Sequence, residues 1–473
     1  MAASLAELVE REERRHAART QRSAELWARG RKVLAGGVAS SFQRGEPWPV
    51  YIARGEGAAV WDLDGTRRLD FHCGFGAMVQ GHAHPAIGRA LAGRYPAGTH
   101  FAAAHEDAMV VAEELGRRFG LRLWRFTSSG TEATLDAIRI ARGFTGREVV
   151  VKAVGGYHGH HDAVMVAAGA GHAVREAGVP AEVARRKAGV PAEVAAFTAA
   201  VPFNDAHALE ERIRALDRAG RRPACVILEP ALMLGIVPPE PGYLAAVREI
   251  TRRFEVVLIF DEVKTGLSIA AGGAVERYGV TPDMVTLAKA LGGGLPSGAI
   301  GATAEIMSVV ESGAVLQAGT FNGNPLCMAA ARVNLLDVLT PAAYERLDAL
   351  GARMAAGLGE ALAAHELPGY ALALGARGCV TFAPERIVDH ASFVAQQDPA
   401  LSRLTWLHGM NRGLFLAPGR PEGWTLSVAH TPEDVDAYVA AFAKLCAELS
   451  GRPLSSRSRR RAHHRPADHL AAT

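Results

Sequence analysis

The sequence predicts an α/β fold with a doubly wound, mostly parallel central sheet and a second, smaller domain. Between about residues 121 and 302, short apolar runs alternate with helical patterns, and turn residues bound each run. Runs that are apolar on both faces are typical of strands buried inside a parallel sheet. Glycine is also abundant, with 51 residues in a chain of 473, above the usual share and in keeping with many tight turns. These observations disfavour a helical bundle.

The first elements expected along the chain are an N-terminal helix and a β-hairpin. Residues 3–34 carry apolar side chains at helical spacing among charges, and a glycine pair at 36–37 would end the helix. Apolar runs at 59–61 and 69–71 flank an Asp-Gly pair at 64–65. Because Asp-Gly suits a tight turn, these runs predict a hairpin.

Five apolar runs are the expected buried parallel strands of the central sheet: 123–126, 149–151, 226–228, 256–260 and 284–287. After about residue 329, helical patterns and a few strands, such as 373–382 and 414–416, indicate the smaller domain. The predicted parts of the chain are an N-terminal helix with part of the small domain over 1–70, a large domain over 71–330, a C-terminal small domain over 331–450 and a disordered basic tail over 451–473.

Composition excludes several classes of function. No apolar run approaches the roughly 18 residues of a membrane span, and the charged N-terminal segment lacks the apolar core of a signal peptide, so we expect a cytoplasmic protein. The net charge is +3, but residues 451–473 contain six Arg against one Asp, which leaves −2 for the rest of the chain. This body has no basic excess of the kind that nucleic-acid-binding proteins show.

The five cysteines do not indicate a disulfide framework or a zinc site. They are widely spaced and form no CxxC pair, so each is expected to be a small buried hydrophobe. His82 and His84 lie in a turn without a third ligand at zinc spacing, and no metal is expected. One eight-residue sequence occurs twice, at 177–184 and 188–195; we interpret it as a duplication that lengthens a surface loop.

Two strand ends carry chemically suggestive residues. The run over 256–260 ends in Asp261, and ligands of open α/β sheets bind beyond the carboxyl ends of strands. Lys289 lies among apolar residues just before three glycines. Burial would lower the pKa of its amine and favour a Schiff base. Each residue alone also has a structural interpretation, Asp261 as a helix cap or turn residue and Lys289 as a lysine that extends to solvent.

Two further strand ends complete the pattern. Ser129, Gly130 and Thr131 lie between an apolar strand and a helical pattern, and the free N–H groups and dipole of a helix start favour a bound phosphate. The same pattern fits a simple helix cap. Tyr157 and His158 follow the next strand, although a buried tyrosine is the alternative there. Together, an anion site, an aromatic ring, an acid and an amine are what pyridoxal phosphate requires.

With these residues in place, the chain resembles the class III (fold type I) pyridoxal-phosphate-dependent aminotransferases, and within them the glutamate-1-semialdehyde aminomutase-like subgroup. The resemblance covers about residues 30–445. The matching motifs are Gly81-His82-Ala83-His84-Pro85, Ser129-Gly130-Thr131-Glu132-Ala133, Tyr157-His158-Gly159, Phe260-Asp261-Glu262-Val263, Lys289 with its Gly-Gly-Gly-Leu-Pro, and Gly319-Thr320-Phe321-Asn322-Gly323-Asn324-Pro325. It implies a large cofactor-binding domain over 71–330 and a smaller α+β domain built from both chain ends.

The resemblance implies a role for each residue around the cofactor ring. Lys289 matches the lysine that forms the internal aldimine and then moves the proton between the substrate Cα and the cofactor C4′. Asp261 would pair with the pyridine nitrogen and keep it protonated. Val263 would pack on one face of the ring and Tyr157 on the other. Lys264, although beside Asp261, does not occupy the aldimine position of the motif.

The resemblance also implies how the phosphate is held. Ser129, Gly130 and Thr131 match the phosphate-binding residues, and His158 is a further candidate at the cofactor. Thr320 matches a threonine that reaches the phosphate from the neighbouring subunit, so the resemblance implies a homodimer with shared active sites.

The sequence departs from the subgroup where substrate would bind. Gln43 stands where the aminomutases have an arginine that holds the substrate carboxylate, with Arg44 one residue on; glutamine cannot form the bidentate charged pair. Phe75 replaces a tryptophan that commonly lines the pocket. The stretch from Glu229 is one residue shorter than in the family and lacks its asparagine, while Glu422 matches a pocket glutamate. These five are the candidate substrate residues.

We therefore expect an aminotransferase that moves an amino group between an amino-acid donor and an oxo acid or semialdehyde. The alternative is an intramolecular aminomutase of the glutamate-1-semialdehyde type, which would share every cofactor residue. A remote alternative is a non-catalytic binding or regulatory protein of the same fold. A Rossmann dehydrogenase is disfavoured because the glycines at 292–294 do not form GxGxxG. The expected partners are a small-molecule donor and acceptor and a second copy of the chain, without nucleic acid or membrane.

Overall fold

The computed structural model describes residues 4–168, 188–417 and 423–450. The first copy of the repeated sequence, Glu422 and the basic tail lie outside these residues, so the expectations for them stay predictions.

The N-terminal segment forms two helices, α1 (Leu5–Arg19) and α2 (Gln21–Gly30), instead of the single helix expected over 3–34. Between them Thr20 leaves the helical conformation, with φ −130° and ψ 38°. Thr20 is buried, its hydroxyl donates to the carbonyl of His16 at 2.8 Å, and Trp48 Nε1 donates to that hydroxyl at 2.9 Å. The break therefore depends on a contact with a distant residue, which helical periodicity does not reveal.

A small sheet follows the two helices. Strands β1 (Ile52–Glu56), β2 (Ala59–Asp62) and β3 (Arg67–Asp70) pair antiparallel in that order. The predicted hairpin is confirmed as β2–β3, and β1 is a strand that the pattern did not show. Three elements then lead to the large sheet: α3 (Cys73–Gly76), a single turn, α4 (Pro85–Arg94) and α5 (Glu106–Phe119).

The large sheet has seven strands in the order β4-β10-β9-β8-β7-β5-β6. They are β4 (Leu123–Thr127), β5 (Val150–Ala153), β6 (Thr198–Val201), β7 (Cys225–Leu228), β8 (Val257–Asp261), β9 (Met284–Ala288) and β10 (Gly298–Ala302). The neighbours from β9 to β6 pair parallel, whereas β10 runs antiparallel to both β9 and β4. The five expected strands are present, but β4 is a partly exposed edge strand and not a buried one.

Both faces of this sheet are covered by helices. Neighbouring residues of β8 point into separate apolar clusters, Leu258 into one and Ile259 into the other, as expected when a sheet is buried on both sides. The helices of this region are α6 (Gly130–Thr145), α7 (Ala192–Ala195), α8 (Ala206–Arg218), α9 (Tyr243–Arg253), α10 (Gly273–Tyr278), α11 (Ala304–Glu311) and α12 (Pro325–Val333). The doubly wound α/β fold is confirmed.

The C-terminal segment returns to the N-terminal sheet. Its elements are α13 (Pro341–Ala364), β11 (Tyr370–Leu374), β12 (Arg377–Thr381), α14 (His390–Ala395), α15 (Pro399–Met410), β13 (Leu414–Phe415), β14 (Trp424–Thr425) and α16 (Pro432–Leu449). The expected strand over 373–382 is instead part of the β11–β12 hairpin, which turns at Gly375 with φ 61°. Strand β13 pairs parallel with β3, so the two chain ends share one sheet.

Among the described residues, no single helix is both long and apolar enough to cross a bilayer. The segments Pro325–Val338 and Pro341–Ala364 meet that test only when they are counted together, across a bend of 75°.

Candidate active site

The predicted cofactor residues meet at one edge of the large sheet. Asp261 is the last residue of β8, Lys289 follows β9, and Tyr157 lies four residues beyond β5. Ser129 lies between β4 and α6, which begins at Gly130. Because β4 runs in the same direction as β5, β8 and β9, all of these positions lie beyond carboxyl ends of strands, where open α/β sheets bind ligands.

Asp261 is a buried carboxylate held by three groups. Only 3% of the surface of Asp261 is exposed to solvent. Oδ2 lies 2.7 Å from Nδ1 of His158, while Oδ1 accepts from the N–H of Val263 at 3.0 Å and from the hydroxyl of Thr286 at 3.2 Å. Each carboxylate oxygen can accept two hydrogen bonds, so Oδ2 keeps the capacity to accept from a protonated ring nitrogen.

His158 is buried and uses only part of its hydrogen-bonding capacity within the described residues. Its Nδ1 contacts Asp261, whereas its Nε2 is buried and has no hydrogen-bond partner among the described groups. Its carbonyl accepts from the hydroxyl of Thr134 on α6 at 2.6 Å. His158 therefore connects the acid at the end of β8 with the start of α6.

Lys289 occupies a backbone conformation that lysine rarely adopts. Its φ is 50°, and it begins a short 3-10 turn that ends at Gly292. Asn334 anchors this turn by donating to the carbonyl of Ala290 at 2.6 Å. The amine Nζ lies 5.9 Å from the centroid of the Phe75 ring. A non-glycine residue at positive φ is strained and persists where its surroundings fix it, so the lysine is held in place at the strand end.

The start of α6 forms an anion site. Ser129 caps the helix from an extended conformation, and its Oγ accepts from the N–H of Glu132 at 3.2 Å. Gly130 and Thr131 are the first helical residues, whose N–H groups have no acceptor within a helix. Gly159 packs directly on this turn, since a Cβ there would lie 2.8 Å from Thr131 Cα. A phosphate is favoured at such a helix start.

Val263 lies beside the same helix start. A Cβ built on Gly130 would lie 2.8 Å from Cγ1 and 3.0 Å from Cγ2 of Val263. Gly130 therefore leaves room that any other residue would fill, and the N–H of Val263 is fixed by Asp261. An anion site, an apolar side chain, a buried acid, an unpaired buried nitrogen on His158 and an amine at neighbouring strand ends fit pyridoxal phosphate.

Two buried charged residues support the loop that carries Tyr157. Glu229 accepts from the N–H of Tyr157 at 2.9 Å and from the N–H of Met233 at 3.3 Å, one at each oxygen, and burial raises the pKa of its carboxyl. Lys152 on β5 donates from Nζ to the carbonyls of Ala153, Gly156 and Val166 at 2.9–3.2 Å. Sequence reasoning missed Lys152; the only signal was a lysine inside an otherwise apolar strand.

Of the two neighbours that were candidates for the substrate carboxylate, Gln43 lines a cavity. This cavity of about 430 Å³ is lined by Gln43 and Phe75 among others, and its described lining does not include Arg44. The Arg44 guanidinium lies instead against Gly36, where an added Cβ would be 3.2 Å from its Nε. Thr320 is exposed at the surface, and its action on a neighbouring subunit stays a prediction.

Among the described residues, no group of three or more His, Cys, Asp and Glu side chains could hold a metal ion. The cysteines at 73, 225, 379 and 446 are buried, and Cys327 is partly buried. Burial raises the pKa of the thiols of Cys225, Cys379 and Cys446 to about 12, so these three are unreactive near neutral pH.

Comparison with known proteins agrees with this geometry. The family of class-III aminotransferases matches residues 41–398. A glutamate-1-semialdehyde 2,1-aminomutase from Thermomicrobium roseum is 40% identical over 438 residues, which cover 91% of this chain and 99% of that protein.

Two solved structures share the fold over nearly the whole chain. An omega-transaminase from Sphaerobacter thermophilus is 36% identical with a TM-score of 0.84, covering 91% of this chain and 98% of its own. A glutamate-1-semialdehyde-aminomutase from Pseudomonas aeruginosa, solved in complex with PMP, is 30% identical with a TM-score of 0.84, covering 94% and 98%.

Proposed function

Because this chain belongs to the class-III aminotransferases, we propose that it transfers an amino group between two separate molecules, an amino donor and a carbonyl acceptor. It is a pyridoxal-phosphate-dependent enzyme of fold type I. The observation that carries the proposal is the pair Gln43 and Arg44. The neutral amide lines the cavity, whereas the guanidinium lies against Gly36. A substrate carboxylate that binds as in the aminomutases would need the bidentate charged pair that an arginine guanidinium makes.

When bound, pyridoxal phosphate supplies an electron sink that stabilises negative charge at the substrate carbon. The chain's own residues place and tune that group. The first turn of α6, from Gly130, would bind the phosphate through main-chain N–H groups and the helix dipole. Asp261, oriented by His158, would hold a proton at the ring nitrogen because a buried carboxylate favours a cationic partner.

Lys289 then has two tasks at the strand end. Its amine would hold the cofactor before substrate arrives and would then take a proton from the reacting carbon of the donor. The strained backbone at Lys289 and the bond from Asn334 to Ala290 limit where the amine can move. Val263 and Tyr157 would bracket the ring, and Tyr157 is held through Glu229.

An isotope experiment tests intermolecular transfer. The holoenzyme is incubated with ¹⁵N-labelled amino donors and pyruvate, and mass spectrometry measures ¹⁵N in the alanine formed. We expect labelled alanine from at least one donor, with no product from the Lys289→Ala variant. Transfer confined to conversion of glutamate-1-semialdehyde into 5-aminolevulinate, with no label in alanine, would contradict the proposal.

The aminomutase is the second candidate function, because a glutamate-1-semialdehyde 2,1-aminomutase is 40% identical over most of this chain. The variant Gln43→Arg addresses it directly, with Ser41→Arg as a control in the same exposed turn. If Gln43 sets the reaction, Gln43→Arg raises the rate with glutamate-1-semialdehyde and Ser41→Arg does not. A wild type that already forms 5-aminolevulinate faster than any intermolecular product would favour the aminomutase.

We also propose a homodimer in which Thr320 acts on the partner's phosphate site. Thr320 lies beside Phe321, which is 60% exposed and contacts the ring of His100 at 4.8 Å between centroids. Exposed large apolar groups in one region are typical of interfaces. Light scattering gives the assembly state, and mixing the inactive variants Lys289→Ala and Thr320→Asp should restore activity, because one site of the mixed dimer is intact. Monomers, or mixed dimers without activity, would contradict the proposal.

We also propose the cytoplasmic location that the sequence predicts, and cell fractionation tests it.

A further inference from the structure

The cavity that Gln43 lines has an aromatic wall beside the reacting lysine. We define the aromatic cavity by six of its lining residues: Phe42, Trp48, His72, Phe75, Trp406 and Phe415. We propose that the aromatic cavity receives an uncharged aryl group carried by the amino donor on its reacting carbon. This inference rests on the proposed function and names the class of substrate that the site takes.

The aromatic cavity adjoins the reacting centre through two rings. The Phe75 ring centroid lies 5.9 Å from Nζ of Lys289, and the Phe42 ring lies 5.7 Å from the Tyr157 ring. Phe42 and Phe75 also contact each other at 5.4 Å. Phe42 and Phe75 therefore line the aromatic cavity and also lie beside Tyr157 and Lys289.

The rings meet at angles that suit an additional ring. His72 and Phe75 are edge to face, 4.1 Å apart at 83°, and His72 meets Phe415 at 5.7 Å and 64°. Tilted and edge-to-face pairs are the favoured arrangements of aromatic side chains. An aryl group of a substrate can extend the same pattern, whereas the negative faces of the rings do not attract a carboxylate.

The described lining contains no Asp, Glu, Lys or Arg. Several of its polar atoms are already hydrogen-bonded to the protein. The Tyr51 hydroxyl donates to the Gly37 carbonyl at 2.7 Å, Trp406 Nε1 donates to the Leu416 carbonyl at 3.1 Å, and Gln43 Oε1 accepts from the Ala39 N–H at 3.1 Å. Since a buried carboxylate needs a charged or hydrogen-bonded partner, this environment disfavours a donor that would place a carboxylate in the cavity.

The volume fits an aryl ring with a short linker. The cavity measures about 430 Å³, while an apolar cavity of about 150 Å³ is enough to hold benzene. Small-molecule sites in proteins are typically mostly apolar pockets of about this volume.

The backbone conformation fixes the position of the Phe75 ring beside Lys289. Cys73 and Phe75 have φ of 46° and 57°, a conformation that is strained for residues with side chains. Asp70 stabilises the turn by accepting from the N–H of His72 at 2.9 Å and of Cys73 at 2.8 Å. Strain of this kind clusters at ligand-binding positions, and here it places the ring next to Lys289.

The reaction proposed is balanced. With 1-phenylethylamine as donor and pyruvate as acceptor, the donor's C–N bond is replaced by a C=O bond to give acetophenone, and the amino group becomes that of alanine. The donor carbon loses two electrons and the pyruvate carbon gains two. The water consumed when the ketone forms is matched by the water released from pyruvate.

A set of donors that all carry a primary amino group tests the inference. The holoenzyme is assayed with pyruvate and 1-phenylethylamine, 2-aminobutane, β-alanine or 4-aminobutyrate. We expect kcat/KM for 1-phenylethylamine to exceed that for 2-aminobutane by about 100-fold, since single methylenes in apolar pockets already change specificity about 10- to 200-fold. Acetophenone should likewise inhibit far more strongly than acetone. If the two acids react as fast as 1-phenylethylamine, the inference is wrong while the proposed function stands; if no donor yields alanine, the proposed function itself fails.

A variant that fills the aromatic cavity provides the matched test. Ala39 lines it and is exposed, so Ala39→Trp can occupy the space without disturbing the core. Ala35→Trp is the control, because Ala35 lies in the same exposed segment outside the described lining. Ala39→Trp should lower kcat/KM for 1-phenylethylamine at least 10-fold and leave 2-aminobutane within about 3-fold. Equal losses for both donors, or equal effects of both variants, would overturn the inference.

Discussion

Replacing His158 tests whether the acid of the cofactor site depends on its buried partner. In His158→Leu, Asp261 Oδ2 loses the 2.7 Å contact with Nδ1, while Oδ1 keeps its bonds from Val263 and Thr286. In His158→Asn, the side-chain amide nitrogen occupies nearly the position of Nδ1 and can still donate. The pair of variants therefore separates the hydrogen bond from the ring.

The expected magnitude follows from the burial of both partners. A hydrogen bond to a charged group is worth about 1.5–3 kcal/mol, and both His158 and Asp261 are almost fully buried. At about 1.4 kcal/mol per factor of ten, the Kd for pyridoxal phosphate should rise about 10- to 150-fold in His158→Leu. In His158→Asn it should stay within about 5-fold.

The assay is a spectrophotometric titration of the cofactor-free protein, with kcat/KM of the reconstituted enzyme measured in parallel. His161→Leu is the control. It removes a partly buried imidazole whose pKa is lowered by burial to about 4 and whose Nε2 lies 3.4 Å from the Thr134 hydroxyl. If His158→Leu binds the cofactor as tightly as the wild type, or if His161→Leu is equally impaired, His158 does not position Asp261 and the reasoning fails.

Three further predictions concern buried or reactive groups. Lys289→Ala should abolish cofactor absorbance that borohydride fixes, whereas Lys264→Ala should retain it. Lys152→Met removes the amine that donates to three buried carbonyls, so urea unfolding should show a loss of about 2 kcal/mol; an unchanged value would contradict it. Burial raises the pKa of Glu262 from 4.5 to about 7, so its contribution to stability is complete below pH 4.5 and is lost as the pH rises through 7. The free energy of unfolding of the wild type relative to Glu262→Gln should therefore fall by about 3 kcal/mol from pH 4.5 to 8, and a flat difference would refute it.

The central strands were predictable because strands that are buried on both faces have short, continuous apolar sequences. Strand β10 was not, since its glycines serve close approach to neighbours. A Cβ on Gly298 would lie 2.4 Å from Thr127 Oγ1, and one on Gly301 would lie 2.6 Å from the Trp124 ring. Strand β4 also forms an apolar run, and its partial exposure follows from its position at the edge of the sheet.

The cofactor residues were predictable for a different reason. Asp261 and Lys289 follow apolar strands directly, so their position at a sheet edge can be read from the chain. Their supports are distant in sequence: His158 is 103 residues from Asp261, and Glu229 is 72 residues from Tyr157. No local pattern links such pairs, and Lys152 resembles an ordinary strand lysine until its three carbonyl acceptors are seen.

The chain builds its two sites from different parts of the fold, and this separates cofactor chemistry from substrate choice. The residues that fit pyridoxal phosphate lie at the ends of strands in the large sheet and are fixed to one another, as Asp261 is to His158. The aromatic cavity is instead made by the segment around Phe42, the strained turn at Phe75 and the C-terminal residues Trp406 and Phe415. The hydrogen bonds that hold Asp261 involve none of these residues. An overall identity of 40% to an aminomutase therefore supports the shared cofactor site. The rings that we propose to select the substrate come from segments near both chain ends.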